Sequence, residues 1–284
     1  MKITEKLRIK LVNYLLIGGL AILIAIWTAV YRQADADVVG GGTQINFLNV
    51  GQGDSALILL PDSTQVLIDA GRDGKTVEQV AKEMPFLDKK IEFVVVSHFD
   101  SDHVGGLDEV MRSYDVDKII IAKAQENQEE ALALAKEAEE VGAEVSYVSK
   151  DDTIYFRAPI KGEVLWPEVD TEGLKDNDLS LVMQIEGGKK KVLMTGDIEN
   201  KGQIYLFAKN EVSNLDTDVL KFPHHGSGGA FSEKLFDLTT PDEVVISVGK
   251  NSYGHPNKNL IDFLKSKIIE YVRTDEVGTV EVGL

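Results

Sequence analysis

The chain has five histidines, at 98, 103, 224, 225 and 255, and each sits in a short loop close to glycine, directly after an apolar strand-like run. Loops at strand ends, held by a rigid sheet, are where reactive groups converge. The densest cluster is Phe93-Val-Val-Val-Ser-His98-Phe-Asp100-Ser-Asp102-His103-Val-Gly105-Gly106, with four potential ligands in six residues. Alternate side chains of extended backbone share a side, so His98 and Asp100 can address one ion. Asp102 and His103 fall where a helix begins and can turn toward a second. Two imidazoles with two carboxylates suit a divalent transition metal. A solvated turn with Asp102 capping the helix would use the same residues. Four ligand types packed between strand and helix favour the metal.

Three further segments end strands in the same way. Lys191-Val-Leu-Met-Thr-Gly196-Asp197-Ile-Glu199 delivers one carboxylate after a glycine; alone it is also an ordinary turn. Val219-Leu-Lys221-Phe-Pro-His224-His225-Gly226-Ser227-Gly-Gly229 ends in paired histidines and a loop whose glycines let backbone N–H groups approach an anion. Asn251-Ser-Tyr253-Gly-His255-Pro256 offers His255 either as a substrate or proton ligand or as a loop brace. The turn Asn49-Val-Gly51-Gln52-Gly53-Asp54-Ser55 lacks the GxGxxG spacing and a following helix, which excludes a dinucleotide cofactor. Asp69, at the end of another strand, is placed to orient a metal-bound histidine, and Asp54 is assigned the same supporting role.

The elements that must position these residues mix short apolar runs with amphipathic stretches. Strands are expected at 45–48, 56–60, 65–68, 93–97, 118–121, 144–148, 181–185, 191–195, 218–222, 243–248, 271–273 and 279–282, and helices at 77–82, 104–113, 126–141, 201–209, 232–238 and 259–266. Strands arriving in twos and threes between helices predict an α/β fold of two sheets with helices outside.

The N-terminus has a different character. Residues 11–31 are nearly all apolar, long enough at 1.5 Å per residue to cross about 30 Å of hydrocarbon. Lys2, Lys6, Arg8 and Lys10 precede the run, so the positive-inside bias places residues 1–10 in the cytoplasm and everything beyond Arg32 outside. A single-pass anchor at 11–31, a flexible linker at 32–43 and one domain at 44–284 are expected. Ala34-Asp35-Ala36 resembles a cleavage site, which would make the protein secreted, but the apolar run is longer than a signal-peptide core. There is no cysteine, so neither disulfides nor thiolate ligands are available. Net charge is −17; residues 1–32 carry five basic groups and one acidic group, leaving about −21 for the rest. Such a field repels polyanions at long range. A nucleic-acid substrate would need metal ions or a local basic strip, for which Lys189, Lys190, Lys191, Lys250 and Lys258 are candidates.

Taken in order, FLNVGQGDSALI, LIDAG, SHFDSDHVGGL, NDLSLV, VLMTGDIE, LKFPHHGS, SVGKNSYGHP and YVRTDEVGTV resemble the metallo-β-lactamase fold, and most closely the extracellular domain of the ComEC family of DNA-uptake competence proteins. The resemblance runs from about residue 47 to the C-terminus. It implies a four-layer αββα sandwich with a two-metal site at one edge of the sheets. It also implies His98 and Asp100 on the first ion, Asp102 and His103 on the second, Asp197 bridging, and His224 (or His225) as the late ligand. Two departures matter: Asp100 stands where the superfamily has histidine, and no histidine lies between His103 and His224, where Asn177, Asp178 and Ser180 stand instead. Oxygen donors harden the site and favour manganese over zinc. The expected function is therefore a membrane-anchored, extracytoplasmic metal-dependent hydrolase: a phosphodiesterase or nuclease using two divalent ions about 3.5–4 Å apart, with DNA as one candidate substrate. Asp102, Ser227 and His255 are its candidate catalytic residues, His255 protonating the leaving group. Lys221, His225, Gly226, Ser227, Tyr253, His255, Asn177 and Ser180 are its candidate substrate contacts. A phosphocholine-esterase-like hydrolase of wall or lipid phosphoesters and a binding module with a decayed site are the alternatives. With one anchor and one domain, the chain cannot itself conduct DNA.

Overall fold

The computed structural model describes residues 2–39, 42–85, 87–171, 173–174 and 176–284. It divides into two units, Met1–Gly41 and Gly42–Leu284. The first is a single helix, α1 (Lys2–Val39), whose segment Arg8–Thr28 is long and apolar enough to cross a membrane. The expected linker at 32–43 differs from this: the helix runs through Val39, because residues 32–39 contain neither glycine nor proline, and glycine begins only at position 40.

The second unit contains two seven-stranded mixed sheets. The first holds β1 (Gln44–Phe47), β2 (Ala56–Leu59), β3 (Gln65–Ile68), β4 (Lys90–Val96), β5 (Asp115–Ala122) and β6 (Glu144–Val148), with β14 (Val280–Gly283) returning to pair with β1. The second holds β7 (Thr153–Arg157), β8 (Ile160–Trp166), β9 (Val182–Glu186), β10 (Lys191–Met194), β11 (Val219–Lys221), β12 (Glu243–Ile246) and β13 (Glu270–Arg273) in sequential order. Each sheet is antiparallel on one side and parallel on the other. The parallel sets are β3 to β6 and β10 to β13.

Alternation along the strands decides which residues face which layer. Ile45, Ile58, Val66 and Ile120 of one sheet meet Met183, Val192, Val219 and Val245 of the other in the core between them. The residues between, such as Leu57, Leu67 and Ile119, face α2 (Lys75–Glu83), α4 (Leu107–Ser113) and α5 (Glu129–Val141) through Val80, Val110 and Leu134. On the far side Leu193, Leu220 and Val244 pack on α6 (Asn200–Lys209), α8 (Glu233–Thr239) and α9 (Lys258–Lys267) through Leu206, Phe236 and Leu260. The layers are helix, sheet, sheet, helix, as the sequence implied. Short helices α3 (Ser101–Val104), α7 (Val212–Leu215) and α10 (Thr274–Val277) complete the unit.

Two strands escape the sequence pattern. β7 alternates exposed and buried residues and carries polar Thr153 and Arg157 outward. β8 is interrupted by Gly162, where a Cβ would lie 2.3 Å from Met183 Sδ of the neighbouring strand. The helix expected at 104–113 is also broken in two, at Gly105 and Gly106. Side chains there would collide with the Arg72 and Ala70 carbonyls, at 2.3 and 2.2 Å. The loop after β3 thus lies directly against the turn that follows α3, and that contact builds one wall of the site.

Candidate metal centre

The parallel strands of both sheets end on the same edge, where open α/β sheets place ligands. Asp69 follows β3, Ser97 and His98 follow β4, Asp197 follows β10, the paired histidines follow β11, and Ser247 follows β12. The Leu181 N–H donates to the Ser97 carbonyl at 2.9 Å, pinning the two sheets together beneath the site.

Four imidazoles converge here, and each has its Nδ1 held. The Ser97 hydroxyl donates to Asp69 Oδ2 at 2.7 Å, which leaves its oxygen to accept from His98 Nδ1 at 3.0 Å. His103 Nδ1 meets Asp69 Oδ2 at 2.9 Å. His225 Nδ1 donates to the Ser247 carbonyl at 3.0 Å, and His224 Nδ1 meets Glu199 Oε1 at 3.0 Å. Fixing Nδ1 in this way leaves Nε2 as the free donor, the arrangement that orients metal-bound histidines. The Nε2 atoms of His98, His103 and His225 are buried without a hydrogen-bond partner among the described residues, as are Asp197 Oδ1 and Asp54 Oδ1. Each such orphan costs about 1–3 kcal/mol; most of the five face an opposite charge at 3.2–3.8 Å, and a cation among them would satisfy the donors directly.

The donors fit a divalent cation. His98, His103 and Asp197 form one set, and Asp102, His103 and His225 another, each with donor atoms within 4.8 Å of one another. Asp197 Oδ2 stands 3.2 Å from His103 Nε2 and 3.4 Å from His225 Nε2, and Asp102 Oδ2 stands 3.4 Å from His225 Nε2. Of the adjacent histidines it is His225, fully buried, that enters the donor sets. His224 lies at the rim, its Nε2 3.8 Å from Asp197. Both adopt left-handed backbone, φ 50° and 52°, as does Asp69 at 57°. Such conformations cost about 1–3 kcal/mol each in residues other than glycine and persist where a site requires them. Here they aim two consecutive rings at one carboxylate.

Charge is tightly balanced. Burial opposes ionisation of His103, but Asp197 and Asp69 outweigh it and push the imidazole up to about 10. His225 is likewise buried yet raised well above its ordinary value by Asp197, Asp54 and Asp102. Burial raises Asp102 and Asp197, yet the His225 and His103 contacts hold both carboxyls below the usual range. Lys221 is 2% exposed, paired with Asp54, donating to the Gly196 carbonyl at 3.1 Å and standing 3.8 Å from Asp197 Oδ1. Those acids keep it protonated against the desolvation cost.

Several expectations change on this geometry. Lys221 lies behind the donors, sealed from the cleft, so it cannot cradle a substrate phosphate. Ser180 is fully buried and its hydroxyl accepts the Asp197 N–H at 3.1 Å, so it positions Asp197 instead of facing the cleft. The Ser227 hydroxyl accepts the Gly229 N–H at 3.1 Å and shapes the loop of Gly226. Asp100 points outward, half exposed, with Oδ2 3.7 Å from His98 Nε2, and joins no donor set. Asn177 reaches His224 Nδ1 at 3.4 Å. Asp54 is closer than a supporting role suggested, since its carboxylate joins the set with Asp197 and His225. Lys189, Lys190 and Lys191 stand at the start of β10, at the opposite end from Asp197, and Lys191 and Lys258 are paired with Glu186 and Asp262. Ser97, Ser247 and Glu199, which hold three of the imidazoles, carried no sequence signal beyond adjacency to the motifs.

An open cleft of about 500 Å³ lies over the donors, lined by Arg72, Asp102, His224, His225, Tyr253 and His255. Burial and the neighbouring His224 and His225 push His255 below its ordinary value, so at neutral pH it is uncharged and better able to accept a proton than to give one.

The Metallo-beta-lactamase superfamily profile matches residues 48–250. ComE operon protein 3 of Bacillus subtilis is 28% identical over 256 residues, covering 84% of this chain and 32% of that protein. Competence protein ComA of Neisseria gonorrhoeae is 29% identical over 197 residues, covering 69% and 26%. The chain thus spans a third or less of the length of these relatives. A solved metal-dependent hydrolase of the beta-lactamase superfamily superposes with a TM-score of 0.54 at 13% identity, covering 85% of this chain and 99% of that one, a likeness of fold.

Proposed function

The chain belongs to the metallo-beta-lactamase superfamily, and from that premise we propose that it is a metal-dependent phosphodiesterase, tethered to a membrane by α1 with the domain on the outer face. The observation that carries this reading is the set of four imidazoles with Nδ1 anchored, of which His103, His224 and His225 turn Nε2 toward Asp197 or Asp102 while His98 joins the donor set of His103 and Asp197. The superfamily's members are generally metal-dependent hydrolases, and competence-protein relatives favour DNA among the substrates.

His98, His103, Asp102, Asp197 and His225 would hold the cation, with Asp54 adjoining. A divalent ion bound there, manganese or zinc, supplies Lewis acidity toward a phosphoryl oxygen and a nucleophilic water at neutral pH. The chain's own contribution is positioning. Asp69 and Ser97 fix His98 and His103, Ser180 fixes Asp197, and Lys221 offsets the negative charge of Asp54 and Asp197. His224, anchored by Glu199 and partly exposed in the cleft, faces the substrate side and is placed to hydrogen-bond a phosphoryl oxygen. Asp100 stands where the superfamily has an imidazole but joins no donor set, and the donors that remain include the carboxylates of Asp54, Asp102 and Asp197, which favours a hard cation and phosphoester over β-lactam chemistry.

The test is hydrolysis of bis(p-nitrophenyl) phosphate and of single- and double-stranded DNA by the full chain, supplied in turn with manganese, zinc and magnesium. Cleavage of at least one phosphodiester with a metal preference is expected; inactivity throughout overturns the reading. A second reading, a hydrolase of wall or lipid phosphoesters, is favoured by the acidity of residues 33–284. A salt titration of DNA binding separates the two, since phosphate contacts give a steep salt slope.

A further inference from the structure

A second cleft of about 480 Å³ adjoins the metal cleft and shares Gln52, Arg72 and Tyr253 with it. Its walls add Lys75 and Lys250, both exposed, and neither forms an ion pair among the described residues. In a chain of net charge −17, these two exposed lysines stand beside half-exposed Arg72, which itself lies 3.7 Å from Asp102, and a single acid, Asp73, shares their cleft. The two loops that carry them are locked together. The Gly249 N–H donates to Gln52 Oε1 at 3.3 Å, and a Cβ on Gly249 would meet the Gly51 backbone at 2.2 Å. Asn251 then shapes the following turn: its Oδ1 accepts the N–H groups of Tyr253, Gly254 and His255, and its Nδ2 donates to the His255 carbonyl. That turn presents the Tyr253 ring, 68% exposed, at the junction of the two clefts.

We propose that Arg72, Lys75 and Lys250 form a second phosphate subsite next to the metal centre, with Tyr253 as a stacking platform, so that the protein takes hold of a single nucleic-acid strand and not an isolated phosphodiester. The inference rests on the phosphodiesterase reading for what happens at the metal, but the binding it describes is independent of turnover. Cations track a backbone and an exposed ring stacks a base without sequence preference. A sugar-alcohol phosphate polymer offers the same phosphates but no base, and the exposed ring at the junction is what favours the nucleic acid. The net negative charge of the chain repels a strand at long range, so binding falls to local cations such as those of this groove.

The test is binding of a fluorescent oligothymidylate to the full chain in detergent, with calcium as the only divalent ion, across a salt series. The expected result is a steep salt slope for the native chain. Lys75→Ala/Lys250→Ala should bind about tenfold more weakly, with the slope reduced by about two, and Tyr253→Ala should weaken binding about tenfold with the slope kept. Lys234→Ala, on α8, should leave both unchanged. These side chains are exposed, and an unaltered thermal midpoint confirms that each variant folds. Unchanged affinity and slope in the double lysine variant overturns the subsite. Equal binding of a poly(glycerol phosphate), with Tyr253→Ala silent, overturns the nucleic-acid assignment. If the strand binds through these residues while no phosphodiester is cleaved with any metal, the subsite stands and the phosphodiesterase reading fails.

Discussion

His103 Nδ1 lies 2.9 Å from Asp69 Oδ2, and Asp69 holds that position from a left-handed backbone at φ 57°. The same carboxylate accepts the Ser97 hydroxyl at 2.7 Å and, through Oδ1, the Ser97 N–H at 2.8 Å. One buried acid therefore orients two imidazoles, His103 directly and His98 through Ser97. Asp69→Asn should weaken metal affinity about 10–100-fold, the usual cost of losing such a partner. Competition with a chelator of known affinity measures this, and a change under threefold would count against the role.

The adjacent histidines are expected to separate by function. His225→Ala should abolish stoichiometric metal binding, because its Nε2 lies 3.4 Å from both Asp102 and Asp197. His224→Ala should retain the metal and lose turnover by about 10²-fold or more, as removal of one oriented transition-state donor does. Metal analysis beside phosphodiester kinetics distinguishes them, and the opposite pattern would reverse the assignment.

Lys221→Met should be the most destabilising of these changes. It leaves Asp54 and Asp197 buried beside one cation fewer, a loss of about 3–5 kcal/mol. Adding Asp54→Asn should recover much of it, since the orphaned charge goes too. Urea unfolding of metal-free protein reads both values; a single variant within 1 kcal/mol of native would refute the buried pair's importance.

Protons compete with the metal for this site. His103 is raised to about 10, and His225 is raised as well, so metal entering near neutral pH must displace protons from both. Apparent metal affinity should climb between pH 7 and pH 10, and uptake should acidify a weakly buffered solution. Metal-free stability should run the other way over the same window. The raised imidazole adds stability that is complete below 6.5 and is lost as pH rises through about 10. The lowered Asp102 and Asp197 carboxyls add stability present above 3.8 and lost as pH falls further. Indicator-dye titration and pH-dependent unfolding check the two halves; a flat affinity from pH 7 to 10 would contradict them.

The donors were legible in sequence where they came as a dense local motif. His98, Asp102 and His103 sit within six residues of each other, and their strand-to-helix setting could be read directly. The choice between His224 and His225 was not legible, because it depends on two successive left-handed residues that no periodicity encodes. Lys221 misled for another reason: lysine is almost never fully buried unless paired, and its partner Asp54 is far away in sequence. β7 and β8 were missed because an edge strand with outward polar residues and an interior glycine has no strong apolar signature. The four layers were legible through the resemblance of the ordered motifs to the metallo-β-lactamase fold, because the central strands, buried on both faces, read only as continuous apolar runs.

Three of the four donor sets draw on both sheets, since His98, Asp102 and His103 follow β4 whereas Asp197 and His225 follow β10 and β11; the fourth, Asp54, Asp69 and His103, belongs to the first sheet. The sets that include Asp197 or His225 are therefore completed only once both sheets have been made and have closed on each other. The ion is then chosen by the compartment in which the finished domain folds, and not by the one in which it is synthesised. If α1 delivers the chain across a membrane before folding, the metal supply outside the cell sets what the domain can take up.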